Sequence, residues 1–562
     1  MSIKWRRRVD TLLFLCGFPV AFIAMHIHTD FDAGNLEWWR YLGERLAFYH
    51  EIEKPYLWYF LAAPLTGLVL ALAGRVSWGF TSYGDARYAS RWQIGKFGLR
   101  DARGVVLGTA LGGQLITGKP RHIMVSAGTQ SGKTQGIVIP TLLTYPGACV
   151  VIDAKGELWE ETAKARSKFS DVYRLEWTSR NTARYNPISI SLMPGDDAEI
   201  ERQVYETATL LVPHLTSKDG SYFDNDAVGL LNALLAWEVF DARSTNREAY
   251  LTNVVHWLSE FDEDIEAAAK AAKISPLVAK LVEAKDLARE RGYPRNVVGG
   301  LTEYAELAMG SARTFAGVVG TFRAALQSYR SGAVEYALSG SDFTPLSLVD
   351  GKRPGTVYIV TAAKDREFVS SMTTALISNI IFTLISRSKA DARAHHQMLL
   401  LLEEFTSLKR TEAVPEVYDR GAGMGVHVMT VIQAFSQIQE KYGREALDTF
   451  LQNTDYIAAF AQGDKNSREM LAEMVGKETR MRHSRSEGGR GDSFSENLEG
   501  VPLILPQDWG SLKLGEHRVL VKRHHNRPIK ARTAFAFKNR RYKHLLGGTP
   551  LPPVRPEGSG NG

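Results

Sequence analysis

Cysteine is nearly absent from this chain, which has two cysteines, Cys16 and Cys149, in 562 residues. Two cysteines cannot build the disulfide framework that stabilises many secreted domains, and their scarcity is typical of a reducing cytoplasm. The pairs His395-His396 and His524-His525 have no cysteine or carboxylate partners at metal-ligand spacing. The sequence therefore excludes a disulfide-rich secreted domain and gives no support to a transition-metal centre.

The chain also lacks a large excess of either charge. Its 68 basic and 62 acidic residues leave a net charge of +6, which permits an anionic partner without requiring one. No basic stretch interleaved with aromatic residues identifies a single-stranded nucleic-acid site. A length of 562 residues is enough for several domains, so function has to be sought in local motifs.

The first such motif is a phosphate loop at residues 127–134, Ala-Gly-Thr-Gln-Ser-Gly-Lys-Thr. An apolar run precedes it and a helix-like segment follows, the layout of a loop whose backbone amides cradle phosphates. Lys133 would compensate the β- and γ-phosphates of ATP, and the Thr134 hydroxyl would ligate Mg²⁺. The alternative is an ordinary strand-to-helix turn that contains Gly-Lys-Thr. The expected nucleotide-binding residues of this loop are Gly128, Thr129, Gln130, Ser131, Gly132, Lys133 and Thr134.

The second motif is an apolar run at residues 398–402 that ends in Glu403 and Glu404. Ligands bind at the carboxyl ends of strands in parallel α/β sheets, so these acids are expected to face the phosphates. Glu403 is the expected metal-side residue, and Glu404 is the expected catalytic residue that orients or deprotonates the attacking water. The alternative is a buried strand with two solvated acids at its end. Together the two motifs predict an ATPase.

Three further polar residues are candidates for the same site. Asp153 follows an apolar strand and is expected at the same edge as the phosphate loop, unless its loop is merely solvated. Gln433 stands at another strand end, where it could sense the γ-phosphate or position water, although a capping role competes. Arg420 opens a glycine-rich turn and could neutralise charge across a subunit interface, with a surface arginine as the alternative.

Two uncharged apolar runs, residues 11–29 and 55–74, are each close to the length of a transmembrane helix. Basic residues precede the first run and follow the second, whereas the connecting stretch has more acids than bases, so both ends are expected in the cytoplasm. A cleaved signal peptide is the alternative for the first run, and a core helix is the alternative for the second. The sequence predicts a hairpin anchor in the lipid bilayer.

From residue 105 onward, strand-like runs alternate with helical ones, and most of these runs are apolar throughout, as in a parallel sheet buried on both faces. Between residues 187 and 310 the strand-like runs give way to helical patterns, which predicts an all-α domain inserted into an α/β domain. The predicted organisation is an anchor at 1–80, an α/β domain at 81–186 and 311–547, the insert at 187–310, and a disordered tail at 548–562. The predicted strands are residues 122–126, 149–153, 172–175, 356–361, 398–403, 425–431, 456–460 and 518–522.

These motifs, in this order, resemble those of type IV secretion coupling proteins, the TraG-like DNA-transfer ATPases. The resemblance covers nearly the whole chain, and its departures are Ala127 for glycine, Gly128 where the family often has proline, Gln130 for arginine and Glu403 for aspartate. The matching segments are residues 127–143, 153–158, 185–187, 313–315, 401–405, 420–433, 436–437 and 442–443.

The resemblance implies a RecA-like P-loop ATPase that uses ATP and Mg²⁺ and forms a homo-hexamer in the bacterial inner membrane. It also implies partners: a relaxase bound to single-stranded DNA as cargo, and other type IV secretion components. Two alternatives stay open. One is an ATPase of the same kind that exports effector proteins. The other is a nucleotide-binding scaffold that assembles the secretion apparatus without using hydrolysis for transport.

Overall fold

The computed structural model describes residues 82–119, 121–212, 222–488 and 491–548. The predicted membrane anchor and the predicted tail from residue 549 lie outside the described residues. The chain divides into two compact units, Met1–Asp85 with Thr479–Gly500, and Ala86–Glu478 with Val501–Gly562. The second unit carries every candidate site residue.

The second unit is built on a mixed sheet of eleven strands among the described residues. The spatial order is β2-β1-β13-β12-β9-β3-β8-β7-β4-β6-β5. The seven strands from β9 to β5 are parallel, whereas β12, β13, β1 and β2 pair antiparallel at one edge. The strands of this sheet are β1 (Val105–Ala110), β2 (Gly113–Thr117), β3 (Ile123–Ser126), β4 (Ala148–Asp153), β5 (Asp171–Leu175), β6 (Gly355–Val360), β7 (Met398–Leu402), β8 (Val426–Ile432), β9 (Tyr456–Ala459), β12 (Glu516–Val521) and β13 (Ile529–Arg532).

All eight predicted strands are present, and six of them, β3, β4, β6, β7, β8 and β9, are buried along their whole length. In β7, Leu400 and Leu402 contribute to the core on one face, whereas Leu399 and Leu401 contribute to the core on the other. The expectation of a parallel sheet was wrong for residues 518–522, which form an antiparallel strand. Strands β1, β2 and β13 were not among the predicted ones. Strands β1 and β2 each contain a glycine, and β13 alternates buried residues with exposed Lys530 and Arg532.

The described chain between β5 and β6 is helical, as the all-α insert requires, and its helices continue past residue 310 to Asp350. The α-helices of the chain are α1 (Arg91–Lys96), α2 (Ile139–Thr144), α3 (Glu157–Arg166), α4 (Asp197–Leu211), α5 (Tyr222–Ser244), α6 (Leu251–Trp257), α7 (Glu263–Ala272), α8 (Pro276–Glu290), α9 (Arg295–Gly310), α10 (Ala312–Ala325), α11 (Gly332–Leu338), α12 (Pro345–Asp350), α13 (Arg366–Ile385), α14 (Lys389–Ala394), α15 (Ala413–Arg420), α16 (Ser436–Tyr442), α17 (Arg444–Asn453), α18 (Lys465–Val475), α19 (Pro506–Gly510) and α20 (Arg540–Lys543).

One helix of the described residues, Ala363–Ile385, is long and apolar enough to cross a membrane, with a mean hydropathy of 1.7. It includes α13, and 72% of its most apolar window is buried inside the protein. The hydroxyl of Tyr185, which lies ahead of the helical insert, donates a hydrogen bond of 2.7 Å to Asn379 on this helix. Such burial is typical of a core helix rather than of a lipid-facing one.

The sequence of residues 484–500, which is polar and shows no apolar period, predicts a flexible loop. This expectation was wrong: β10 (Lys477–Gly488) and β11 (Gly491–Pro502) pair as a separate two-stranded sheet. Strand pairing is made by backbone hydrogen bonds, so it does not require an alternating apolar pattern.

Candidate active site

The candidate site lies at the carboxyl edge of the parallel strands. The phosphate loop follows β3, Gln433 follows β8, the pair Glu403 and Glu404 follows β7, and Asp153 ends β4. These four strands are adjacent in the order β3-β8-β7-β4. The sheet therefore brings together residues that are far apart in sequence, as the strand-end argument predicts.

Backbone hydrogen bonds and two left-handed residues determine the path of the phosphate loop after β3. The amide of Ala127 donates to the carbonyl of Ile432 at 2.9 Å, and Ala127 is fully buried. Gln130 and Gly132 have φ angles of +57° and +87°, so the loop reverses through two left-handed residues, a conformation that glycine adopts without steric cost. The amide of Gly136 donates to the carbonyl of Gly132 at 2.9 Å. A helical turn, Thr134–Val138, follows and continues into α2.

Lys133 is partly buried beneath this loop, and its Nζ lies 3.4 Å from the carbonyl oxygen of Ala127. Burial lowers the pKa of Lys133, while the neighbouring carboxylates of Glu403 and Glu404 raise it. A lysine that follows a glycine turn is placed to compensate the charge of a phosphate group.

Thr134 joins the loop to the acidic strand. Its hydroxyl donates a short hydrogen bond to Oε1 of Glu403. Burial raises the pKa of Glu403 to about 7, with the hydrogen bond from Thr134 acting in the opposite direction. A hydroxyl and a carboxylate in contact fit Mg²⁺, because this ion takes oxygen ligands and is usually held by one or two carboxylates plus phosphate oxygens.

Glu404 has a φ angle of +61°, which is unusual for a residue with a side chain. Its Oε2 lies 2.6 Å from Nη1 of Arg366, so the two side chains form an ion pair. Arg366 was missed from the sequence, although it begins α13 shortly after β6, and the strand-end argument could have included it.

Asp153 is almost fully buried, and its Oδ2 accepts a hydrogen bond of 2.8 Å from the amide of Trp159. Burial raises the pKa of Asp153. Hydrogen bonds from the backbone amides that follow the strand, chiefly the amide of Trp159 in α3, lower it. The Asp153 carboxylate therefore holds the start of α3 in place. It is a buried structural contact of its own strand end and not a solvated loop residue. Its nucleotide-binding role stays a prediction.

Gln433 is exposed at the carboxyl end of β8, and its backbone amide donates to the side chain of Gln437 at 2.9 Å. Arg420 is placed differently. It ends α15 and precedes β8, so it lies at the amino edge of the sheet, away from Lys133 of the same chain. Its side chain is 61% exposed and lies 3.6 Å from Glu416.

Gln462 is a second residue that sequence reasoning missed. It is buried after β9, where its amide accepts from the Ser126 hydroxyl at 2.9 Å and donates to the Ser126 carbonyl at 3.0 Å. These bonds hold the last residue of β3 directly before the phosphate loop. The signal that could have found it is again a polar residue just past a strand end.

Comparison with known proteins identifies the family of this chain. Residues 86–549 match the family described as type IV secretory system conjugative DNA transfer. The chain belongs to this family. The resemblance to type IV coupling proteins that the motifs indicate is thereby confirmed.

Relatives from several bacteria support this membership. Protein VirD4 of Rhizobium rhizogenes is 26% identical over 509 residues, covering 87% of this chain and 70% of the relative. Protein VirD4 of Agrobacterium fabrum is 27% identical over 454 residues, covering 78% and 63%. Conjugal transfer protein TraG of Escherichia coli is 25% identical over 411 residues, covering 69% and 61%. The matched part of the chain thus spans about two thirds of the length of these relatives.

Solved structures support the fold. The bacterial conjugative coupling protein TrwB in an unbound form has a TM-score of 0.58 at 14% identity, covering 82% of this chain and 96% of that one. TrwB in complex with ADP and Mg²⁺ has a TM-score of 0.56 at 15% identity, covering 82% and 96%. The chain therefore has the mixed α/β fold of a type IV coupling protein.

Proposed function

We propose that this chain is an inner-membrane ATPase that passes a relaxase-bound single DNA strand to a type IV secretion channel. The observation that carries the proposal is the contact between Thr134 of the phosphate loop and Glu403 of the acidic strand, beside Lys133. A strand-to-helix turn without a nucleotide would not need these three groups together. The bound nucleotides named for TrwB support the same assignment.

The roles of the residues follow from their positions. Bound nucleotide with Mg²⁺ would supply the phosphoryl group and a Lewis acid at its oxygens. Lys133 compensates phosphate charge, and the backbone of residues 128–134 donates to phosphate oxygens. Thr134 and Glu403 would hold the metal ion, directly or through its water shell.

Glu404 acts as the group that orients or deprotonates the attacking water, and Gln433 helps to place that water. Arg366 orients Glu404, because it pairs with Oε2 of the carboxylate and so restricts its rotation. A base that is itself held by a third group is a common arrangement in catalytic sites. Arg420 completes the site in a neighbouring subunit, since it is exposed and lies away from Lys133 of its own chain.

The proposed domain organisation combines a membrane anchor, an α/β domain with a helical insert, and a ring of subunits. We propose a two-span anchor in residues 1–80, an α/β domain at 81–186 and 311–547, a cargo-facing all-α insert at 187–310, and a homo-hexameric ring. A reporter fused within residues 35–44 should be periplasmic, and fusions after residue 80 should be cytoplasmic. A cytoplasmic signal from the first fusion would contradict the anchor.

Lys133→Ala tests the proposed function. The variant should lose ATP turnover and DNA transfer while inserting into membranes as the wild type does, because only a charge at the phosphates is removed. Turnover is measured with and without single-stranded DNA. Lys465→Ala, which removes a well-exposed lysine from the start of α18, is the matched control and should retain both activities.

Normal DNA transfer by the Lys133→Ala protein would exclude transport driven by ATP hydrolysis and would favour the assembly scaffold. Turnover that responds to secreted effector proteins but not to DNA would favour effector export. Glu404→Gln separates binding from chemistry, since it should retain nucleotide and lose turnover.

A further inference from the structure

The segment that leaves the last strand of the sheet forms a wall beside the phosphate loop. Residues 533–538 follow β13, and the amide of Ala536 donates to the carbonyl of Gln135 at 2.8 Å. At the start of the segment, the amide of Thr533 donates to the carbonyl of Gly515 at 2.7 Å. Two backbone bonds therefore hold this segment, one of them to the first turn of the helix that follows the phosphate loop.

The wall packs so closely that no side chain fits at Gly132 of the phosphate loop or at Gly136 of the helical turn that follows it. A Cβ atom on Gly132 would lie 2.9 Å from Cε1 of Phe535. A Cβ atom on Gly136 would lie 1.8 Å from Cγ2 of Thr533. Phe535 thus packs directly on the residue that gives the phosphate loop its turn.

The outer part of the wall is aromatic and partly exposed. The rings of Phe535 and Phe537 have centroids 5.6 Å apart at 52°, and Lys538 Nζ lies 5.6 Å from each centroid. Phe537 is 45% exposed. An exposed phenylalanine next to a phosphate loop offers a surface on which a nucleobase can stack, since every base has a π-face.

We propose that residues 533–538 are the nucleoside-binding wall of the site. The base stacks on Phe537 and meets the edge of Phe535. The ligand class is a nucleoside triphosphate, and recognition by stacking tolerates either purine. This inference rests on the proposed function, because it needs a triphosphate in the loop at residues 127–134.

The test compares ligands with and without a base. Affinities of the full-length protein in detergent for ATP, GTP and inorganic tripolyphosphate are measured by calorimetry. Phe537→Ala should weaken ATP and GTP by about tenfold each, the order expected for loss of one base–aromatic stack, and should leave tripolyphosphate within about twofold. Phe537→Trp should bind ATP at least as tightly as the wild type, because the larger ring stacks better.

Trp92→Ala is the matched control. Trp92 is 67% exposed on α1 and has Lys96 3.7 Å from its ring centroid, so it is also an exposed aromatic residue beside a lysine. The residue after α1, Phe97, accepts a hydrogen bond from the Tyr456 hydroxyl at the amino end of β9, which places α1 at the opposite edge of the sheet. All three affinities should be unchanged in this variant.

Either of two results overturns the inference. Equal losses for ATP and tripolyphosphate in Phe537→Ala would mean that the wall only shapes the phosphate loop. Unchanged ATP affinity would mean that the base lies elsewhere. If the proposed function itself is wrong, the result is distinguishable, because Lys133→Ala would then bind ATP and tripolyphosphate as tightly as the wild type does.

Discussion

The side chain of Glu403 joins the acidic strand to the phosphate loop. Position 403 carries glutamate where the motif resemblance leads us to expect aspartate, and its side chain contacts Thr134 directly. The carboxylate is buried enough for its pKa to rise to about 7. The side chain at this position therefore influences both the reach and the protonation of the proposed metal ligand.

Arg366 is the residue whose role is easiest to isolate. Arg366→Ala should lower kcat by about tenfold or more, because general-base catalysis is worth about 10²–10⁴ and depends on orientation. Nucleotide affinity should change little, since Arg366 pairs with Glu404 rather than with the phosphate loop. Steady-state kinetics and calorimetry measure the two quantities, and Arg366→Lys should recover part of kcat, because lysine keeps the charge without the planar fork.

Glu367→Gln provides the control for Arg366→Ala, because Glu367 is the next residue on the same helix and forms an ion pair with Lys409 that does not involve Glu404. It should leave kcat near the wild-type value. A rise of kcat in Arg366→Ala would show instead that the ion pair restrains Glu404.

Among the elements, β8 links the two motifs of the site. It lies between the phosphate-loop strand β3 and the acidic strand β7, and all seven of its residues are buried. One of them is His427, whose two ring nitrogens have no hydrogen-bond partner among the described residues. Burial, together with the nearby charge of Arg121, lowers the pKa of His427 to about 4.

The free energy of unfolding should therefore fall as the pH drops from about 6.5 towards 4. In this window the unfolded chain binds a proton at His427 that the folded chain does not, which contributes a slope of about 1.4 kcal/mol per pH unit. His427→Leu should remove this contribution and cost little at pH 7.5, because no hydrogen bond is lost. Urea unfolding at several pH values measures both effects, and an unchanged slope in the variant would disprove the assignment.

At the scale of the whole molecule, the proposed ring decides whether the site is complete. Arg420 lies at the opposite edge of the sheet from Lys133 in the same chain, so it can serve a nucleotide only across a subunit boundary. Arg420→Ala should retain nucleotide binding and lose most turnover, since a residue that stabilises transition-state charge is worth more in kcat than in binding.

Mixing subunits tests this arrangement. Rings that combine Arg420→Ala with Glu404→Gln subunits should recover part of the turnover, because some interfaces then pair an intact Glu404 with an intact Arg420. Turnover is compared with that of each variant alone at known ring composition. No recovery would place Arg420 in its own subunit's site or give it a purely structural role.

The sequence by itself determined the features that depend on neighbouring residues. The phosphate loop, the acidic strand end and the buried parallel strands are each visible in fewer than about ten consecutive residues, because glycine turns and apolar runs act locally. That the ends of β3, β8 and β7 lie at one edge of the sheet could also be anticipated, since the carboxyl ends of parallel strands share that edge.

Only the tertiary structure decided the contacts between distant segments. Arg366 meets Glu404, and Phe535 packs on Gly132. The antiparallel pairing of β12 with β9 is likewise a contact between segments that are separate in sequence. Each of these contacts depends on which segments the sheet order makes neighbours, and a short window of sequence carries no information about a partner outside it.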